Sequence, residues 1–114
     1  MEMRTLRLLA VAVLAFSLAA HGDFRTLVEV HEVVLVNLRL PATESGALSI
    51  KECADCDALL LRVNPSSRYV LNGQTIALAD FRKAIAAVTN RQDVIVDVFH
   101  DLETNVATKV RVRL

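Results

Sequence analysis

The chain has 114 residues, 13 basic and 13 acidic side chains, four phenylalanines, one tyrosine and no tryptophan. A formal charge of zero lacks the basic excess that binding to nucleic acid draws on, and so few aromatics leave little with which to wall a catalytic pocket. The length suits one domain with a small core, for which a covalent staple is useful.

Met1 to Arg7 carries two arginines, Leu8 to Ala20 is apolar or small, and polar His21-Gly22-Asp23 follows. This is the layout of a secretory signal peptide, with Ser17 and Ala19 supplying small side chains for cleavage after Ala19. An uncleaved anchor is the rival reading, but the apolar run falls short of the roughly 20 residues a helix needs to span a bilayer. The expected organisation is a cleaved signal over residues 1–19 and a single small domain over residues 24–114. The protein is expected to be exported, periplasmic or extracellular, with no stable membrane span after cleavage. Cleavage takes Arg4, Arg7 and Glu2 from the 13 basic and 13 acidic residues, which leaves 11 and 12 and a charge still near zero.

Between Leu27 and Leu40, alternation puts Val28, Val30, Val34, Val36, Leu38 and Leu40 on one face, with Glu32 the exception. The pattern predicts one long strand, bent or bulged at His31-Glu32 and ended by Pro41. Leu48 and Ile50, alternating with Ser49 and Lys51, predict a second strand, and Ala58 to Val63 a third. The segment Cys53-Ala54-Asp55-Cys56-Asp57 forms the hairpin loop between them. Asn64-Pro65-Ser66-Ser67 then turns the chain, and Asn72-Gly73 fits a tight hairpin because both residues tolerate positive φ. A small strand follows at Gln74 to Ile76.

From Leu78 to Val88 the apolar period becomes helical, with Leu78, Phe81, Ile85 and Val88 on one side. Asp80 in the first turn favours the helix dipole, although Ala77 is a poor cap. Two final strands follow. Val94, Val96 and Val98 share one face of the first, and Val106, Thr108, Val110, Val112 and Leu114 one face of the second. A five-residue loop from Asp101 to Asn105 would place His100 opposite Val106, Val98 opposite Thr108, Val96 opposite Val110 and Val94 opposite Val112. The same register sets Asp97 opposite Lys109 and Asp93 opposite Arg113, opposite-charge pairs that each contribute about 0.2 to 1 kcal/mol.

The fold class is therefore mainly β with one helix. Its order, strand-strand-strand-helix-strand-strand (β-β-β-α-β-β), fits a small OB-like barrel whose long first strand pairs on both sides and whose helix plugs one end. The alternative is a five-stranded sheet packed on one helix. The run Ser67-Arg68-Tyr69-Val70-Leu71-Asn72-Gly73-Gln74-Thr75-Ile76-Ala77-Leu78-Ala79-Asp80-Phe81, with Asp93-Val94-Ile95-Val96 and the final hairpin, resembles small secreted bacterial OB-like β-barrel domains of unknown function. The resemblance covers roughly residues 67–114, and Gln92 stands where those domains commonly carry a glycine. It implies a barrel fold and export, and no particular activity.

Cys53 and Cys56 are the most chemical feature present. In an oxidising compartment they are expected to form a disulfide that closes the hairpin loop. Thiol-redox work needs a thiolate held at a helix N-terminus or by positive charge, whereas a strand follows here and Glu52, Asp55 and Asp57 surround the sulfurs. A metal ion held by Cys53 and Cys56 with His31, His100 or the adjacent aspartates is a third reading, whereas the pattern is not the C-x-x-C-H of covalent haem attachment. His31 beside Glu32, and His100 beside Asp101, do not pair with those neighbours, because adjacent strand residues point to opposite faces. Lys109, Arg111 and Arg113 alternate on the outer face of the last strand and read as an ordinary solvated surface.

No catalytic constellation is present, and no G-x-S-x-G, H-E-x-x-H, Walker or dinucleotide motif occurs. The expected function is that of an exported, non-catalytic binding or scaffold module of the bacterial cell envelope. Its partner would be a protein, a glycan or another envelope component, not nucleic acid. OB-type barrels bind along their second and third strands, which points to Ser49, Lys51, Leu60, Arg62 and Tyr69. The alternative is a metal-handling or thiol-redox protein that uses Cys53 and Cys56.

Overall fold

A computed structural model describes residues 27–114, so the expected signal over residues 1–19 lies outside the described residues. Strands β1 (Val28–Val34) and β2 (Leu38–Arg39) are separated by a 3-10 turn at Leu35–Asn37; β3 (Ala47–Ile50), β4 (Leu59–Arg62), β5 (Arg68–Leu71) and β6 (Gln74–Ile76) follow. Helix α1 (Leu78–Ala86), a second 3-10 turn (Arg91–Asp93), β7 (Ile95–Asp101) and β8 (Val106–Val112) complete the described chain.

The protein is mainly β, with one mixed, open sheet in the order β1-β7-β8-β4-β3-β2. β5 lies against β8 and is itself paired by β6. All pairs are antiparallel except that β8 runs parallel to β4 at Arg62↔Val106 and to β5 over Arg68–Leu71. Consecutive β4 and β5 thus share one side of β8. β1 and β2 lie at opposite ends of the strand order and are joined by only the turn at Leu35–Asn37. Hydrogen bonding does not close the sheet into a barrel.

The long first strand does break, but at Leu35–Asn37 and not at His31-Glu32. Here the Leu35 N–H donates to the Val94 carbonyl at 2.8 Å, which ends the ladder with β7 and turns the chain toward β3. The buried face of β1 is also the opposite of the one alternation suggested. His31, Val33 and Leu35 point inward, whereas Val28, Val30 and Val36 are exposed. Register decides this, because Val33↔Val96 and His31↔Val98 place those residues on the inner face of β7. The 3-10 turn then shifts the parity, so Leu38 returns inward.

The core gathers Leu48, Ile50, Leu61, Val96, Val98, Val110 and Val112 from the strands, and Leu78, Phe81 and Ile85 from α1. Val88 packs beside them, as the helical period predicts. No side chain caps α1 at Ala77. Asn72 at φ 50° and Gly73 at φ 84° make the tight turn between β5 and β6.

The terminal hairpin keeps Val94, Val96, Val98, Val110 and Val112 inward, but not Val106, Thr108 or Leu114, and not the expected register. Val96 lies opposite Val112, Val98 opposite Val110, Asp97 opposite Arg111 and Phe99 opposite Lys109. The loop causes the first slip. Asp101 accepts from the Glu103 and Thr104 N–H groups at 2.9 and 3.3 Å, and Asn105, at φ 59°, donates its N–H to the Asp101 carbonyl, so Asp101 pairs with Val106. A bulge at Phe99/His100 adds the second, burying Ala107 in place of Val106 or Thr108.

Candidate functional site

Two groups of side chains bear on function, and each follows from strand parity. On the outer face of β2–β3–β4, Arg39 pairs with Ser49 and Ser49 with Leu60, while Ala47 pairs with Arg62. Lys51 continues that face past the end of β3, where its N–H donates to the Asn37 carbonyl at 3.1 Å. Leu48, Ile50 and Leu61 alternate inward. The outer face therefore presents Arg39, Lys51 and Arg62 around Ser49 and the exposed side chain of Leu60. Val36, also exposed, joins Asn37, Arg39, Ser49 and Lys51 around a shallow groove of about 160 Å³. Among the described residues no ion pair involves Arg39, Lys51 or Arg62.

Four of the five residues expected on a binding surface, Ser49, Lys51, Leu60 and Arg62, thus share one face. Tyr69 does not. Its side chain is buried against Phe81, with ring centroids 5.5 Å apart, and belongs to the core. Burial, and then the charge of Glu44, pushes its pKa up. Arg39, which gave no signal in the sequence, sits across from Ser49 because the 3-10 turn at Leu35–Asn37 resets the strand just before it.

Cys53 and Cys56 form the expected disulfide across the β3–β4 loop. Both sulfurs are tied to one another, and a strand follows them, not a helix. They offer no thiolates to a metal in this state. The histidines expected as their companions are instead brought to each other.

Glu29 lies opposite His100 and His31 opposite Val98, so His31 and His100 are diagonal neighbours on the inner face of β1 and β7. Both are only 7% exposed. His31 Nε2 and His100 Nδ1 are 3.3 Å apart, and the ring centroids 5.5 Å apart. Centroids farther apart than the nitrogens by about a ring's width mean that the rings meet edge to edge and do not stack. The outer nitrogens are also engaged: His31 Nδ1 lies 2.8 Å from Glu52 Oε1, and His100 Nε2 lies 2.6 Å from Asn105 Oδ1. Glu29, His31 and His100 bring one ligand atom each within 4.8 Å of one another.

His100 continues the inward face of Val94, Val96 and Val98, a signal already present in the sequence. His31 gave no such signal, because the valines of its strand favoured the other face. Glu52 appeared only as a charge beside Cys53. No protein-family model, curated protein or solved structure matches the chain.

Proposed function

We propose that this is an exported, non-catalytic module that binds an acidic glycan of the bacterial cell envelope through the outer face of β2–β4. The observation that carries the reading is the cluster of Arg39, Lys51 and Arg62 around Ser49, without an ion-paired acidic partner among the described residues, on a chain whose overall charge is zero. Local excess on a neutral protein focuses anions at one place without making the whole surface adhesive. Arginine forks suit carboxylate and phosphate groups, and the Ser49 hydroxyl can donate or accept between them. With Tyr69 buried, no aromatic side chain among the described residues of this face offers a platform for neutral sugars, which favours acidic ones.

An OB-like reading of the fold supports the same surface. β1 and β2 act as two arms of one broken strand that pair with β7 and with β3, β8 runs parallel to β4, and the helix lies between the β5–β6 hairpin and β7. In folds of that kind the second and third strands form the binding face, here β3 and β4. The disulfide at the tip of the β3–β4 loop is consistent with an oxidising compartment. No helix among the described residues is long and apolar enough to cross a membrane.

The test is retention of the purified chain on immobilised polygalacturonate, with dextran as the neutral control. Binding that weakens with salt and is lost in the Arg39→Glu/Arg62→Glu variant supports the reading. Equal retention of wild type and variant, or retention only by phosphatidylglycerol vesicles, overturns it. A second reading, metal handling, is favoured by the histidine pair and no longer involves the cysteines.

A further inference from the structure

We propose that His31, His100 and Glu29 form a binding site for a divalent transition-metal ion of the zinc type, at the solvent edge of the β1–β7 pair. The argument starts from the hydrogen bonds that the two rings make on their outer sides. His31 Nδ1 faces the Glu52 carboxylate, which can only accept, so this nitrogen carries a proton. His100 Nε2 faces the Asn105 side-chain oxygen, which also accepts, so it too carries a proton. In neutral rings the two remaining nitrogens, His31 Nε2 and His100 Nδ1, are then bare lone pairs.

Those lone pairs face each other at 3.3 Å in a site where both rings are buried. Two bare acceptors at that distance repel unless a proton shared between the rings or a metal ion joins them. A metal ion satisfies this arrangement in the way that metal-binding histidines generally do, with the outer nitrogen donating to a carboxylate or carbonyl oxygen that fixes the tautomer and orients the ring. Glu52 and Asn105 are those outer partners, and they come from the two loops flanking the site.

The spacing also fits. Two nitrogens, each about 2.0 to 2.1 Å from a tetrahedral zinc ion, lie about 3.3 to 3.4 Å from one another. The rings meet nearly in line, so each must swing by about 35° to direct its lone pair at a shared tetrahedral ion. Glu29 is exposed and sits across the ladder from His100, which leaves its carboxylate free to follow the ion and supply a third ligand. Two imidazoles and a carboxylate suit Zn²⁺ and Cu²⁺ and fit poorly with Ca²⁺ or Mg²⁺, which prefer oxygen alone. The site is independent of the basic face on β2–β4, and either assignment can fail without the other.

Calorimetric titration of the purified chain with Zn²⁺ tests the proposal, read together with long-range proton–nitrogen spectra of the histidine rings. The expected result is one ion per chain, with coordination shifts on His31 Nε2 and His100 Nδ1. His100→Gln should lower affinity at least a hundredfold and Glu29→Gln about tenfold. Glu52→Gln should lower it about ten- to a hundredfold by releasing the His31 ring. His21→Gln should leave it unchanged. Glu29 and Glu52 are exposed, so those variants remain informative even if His100→Gln fails to fold. The proposal fails if Zn²⁺ shifts neither ring, or if Glu29→Gln and Glu52→Gln bind as wild type does. It fails equally if the spectra show the Asn105 amide turned to donate to His100, because each ring then donates in turn toward Glu52 and no lone pair is left for an ion.

Discussion

Lys109 Nζ lies 4.2 Å from the centroid of the Phe99 ring, directly across the β7–β8 ladder. The lysine therefore caps an aromatic face, and Asp97 is left to Arg111, whose Nε and Nη2 donate to Asp97 Oδ2 at 3.2 and 2.9 Å. Both side chains of that ion pair are partly exposed, so its contribution is small, below about 1 kcal/mol. Double-mutant cycles should give Asp97 and Arg111 a coupling of about 0.5 kcal/mol and Asp97 and Lys109 none. A larger coupling to Lys109 would restore the register inferred from charge alternation.

Charge alternation failed there because two registers differing by two residues keep the same four valines inward. Val96, Val98, Val110 and Val112 are buried in both, and Asp97 meets a cation in both. What selects between them is the Asp101 loop and the bulge at Phe99/His100, and neither has a strong pattern in the sequence. The tight turn at Asn72-Gly73 was legible because its two residue types are specific to positive φ. The helix was legible because Leu78, Phe81 and Ile85 repeat at its period. Two of the three cations of the basic face, Lys51 and Arg62, were legible through the alternation of Ser49 and Lys51 with Leu48 and Ile50 and of Arg62 with Leu61 and Val63, but Arg39 needed the position of the strand break. The histidine pair joins residues 69 positions apart and depends on a β1–β7 register that no local pattern encodes.

The inverted face of β1 makes a sharp contrast between two neighbouring valines. Val33 is 3% exposed, and Val33→Asp should destabilise by several kcal/mol by placing an unpaired carboxylate in the core. Val30 is 47% exposed, and Val30→Asp should change stability by less than about 0.5 kcal/mol. Urea melts of both variants check this. The opposite ranking would return β1 to the face that its even-numbered valines suggest.

Val110 is buried in the last strand at 1% exposure, between β7 and β5. Val110→Asp should cost several kcal/mol, whereas Lys109→Ala should cost about 1 kcal/mol or less, since it forfeits one partly exposed cation–π contact. Deletion of Val110 to Leu114 removes the β8 partners of Tyr69, Val70 and Leu71 and should prevent folding, as judged by loss of a cooperative thermal transition.

The disulfide spans an exposed loop tip, so its effect should be confined to chain entropy and to the residue it follows. A loop this short gives about 2 kcal/mol by the chain-entropy estimate. Replacing Cys53 and Cys56 by serine should lower stability by about that amount and leave a folded chain, measured by urea denaturation. Glu52 precedes Cys53 and accepts from His31, so the same variant should also weaken Zn²⁺ binding several-fold. Unchanged stability would mean that the loop is equally restricted without the bridge.

Tyr69 offers the clearest pH dependence. Its hydroxyl is buried without a hydrogen-bond partner among the described residues, and its pKa is raised by burial and then by Glu44. The neutral phenol is therefore favoured in the folded chain more than in the unfolded one. As pH rises past about 10, the ordinary tyrosine value, the unfolded chain ionises first and binds fewer protons than the folded chain. Stability should accordingly be intact below that pH and fall as pH climbs toward the raised folded value. Tyr69→Phe should remove this part of the alkaline decline. At neutral pH the substitution sacrifices no hydrogen bond and relieves a desolvated hydroxyl, so stability should stay equal or rise by up to about 1 kcal/mol. Thermal melts of wild type and variant at neutral pH and across the alkaline range provide both readouts. A loss of more than about 1 kcal/mol at neutral pH would show that the hydroxyl has a partner and that the side chain is held by more than Phe81 and the core around it.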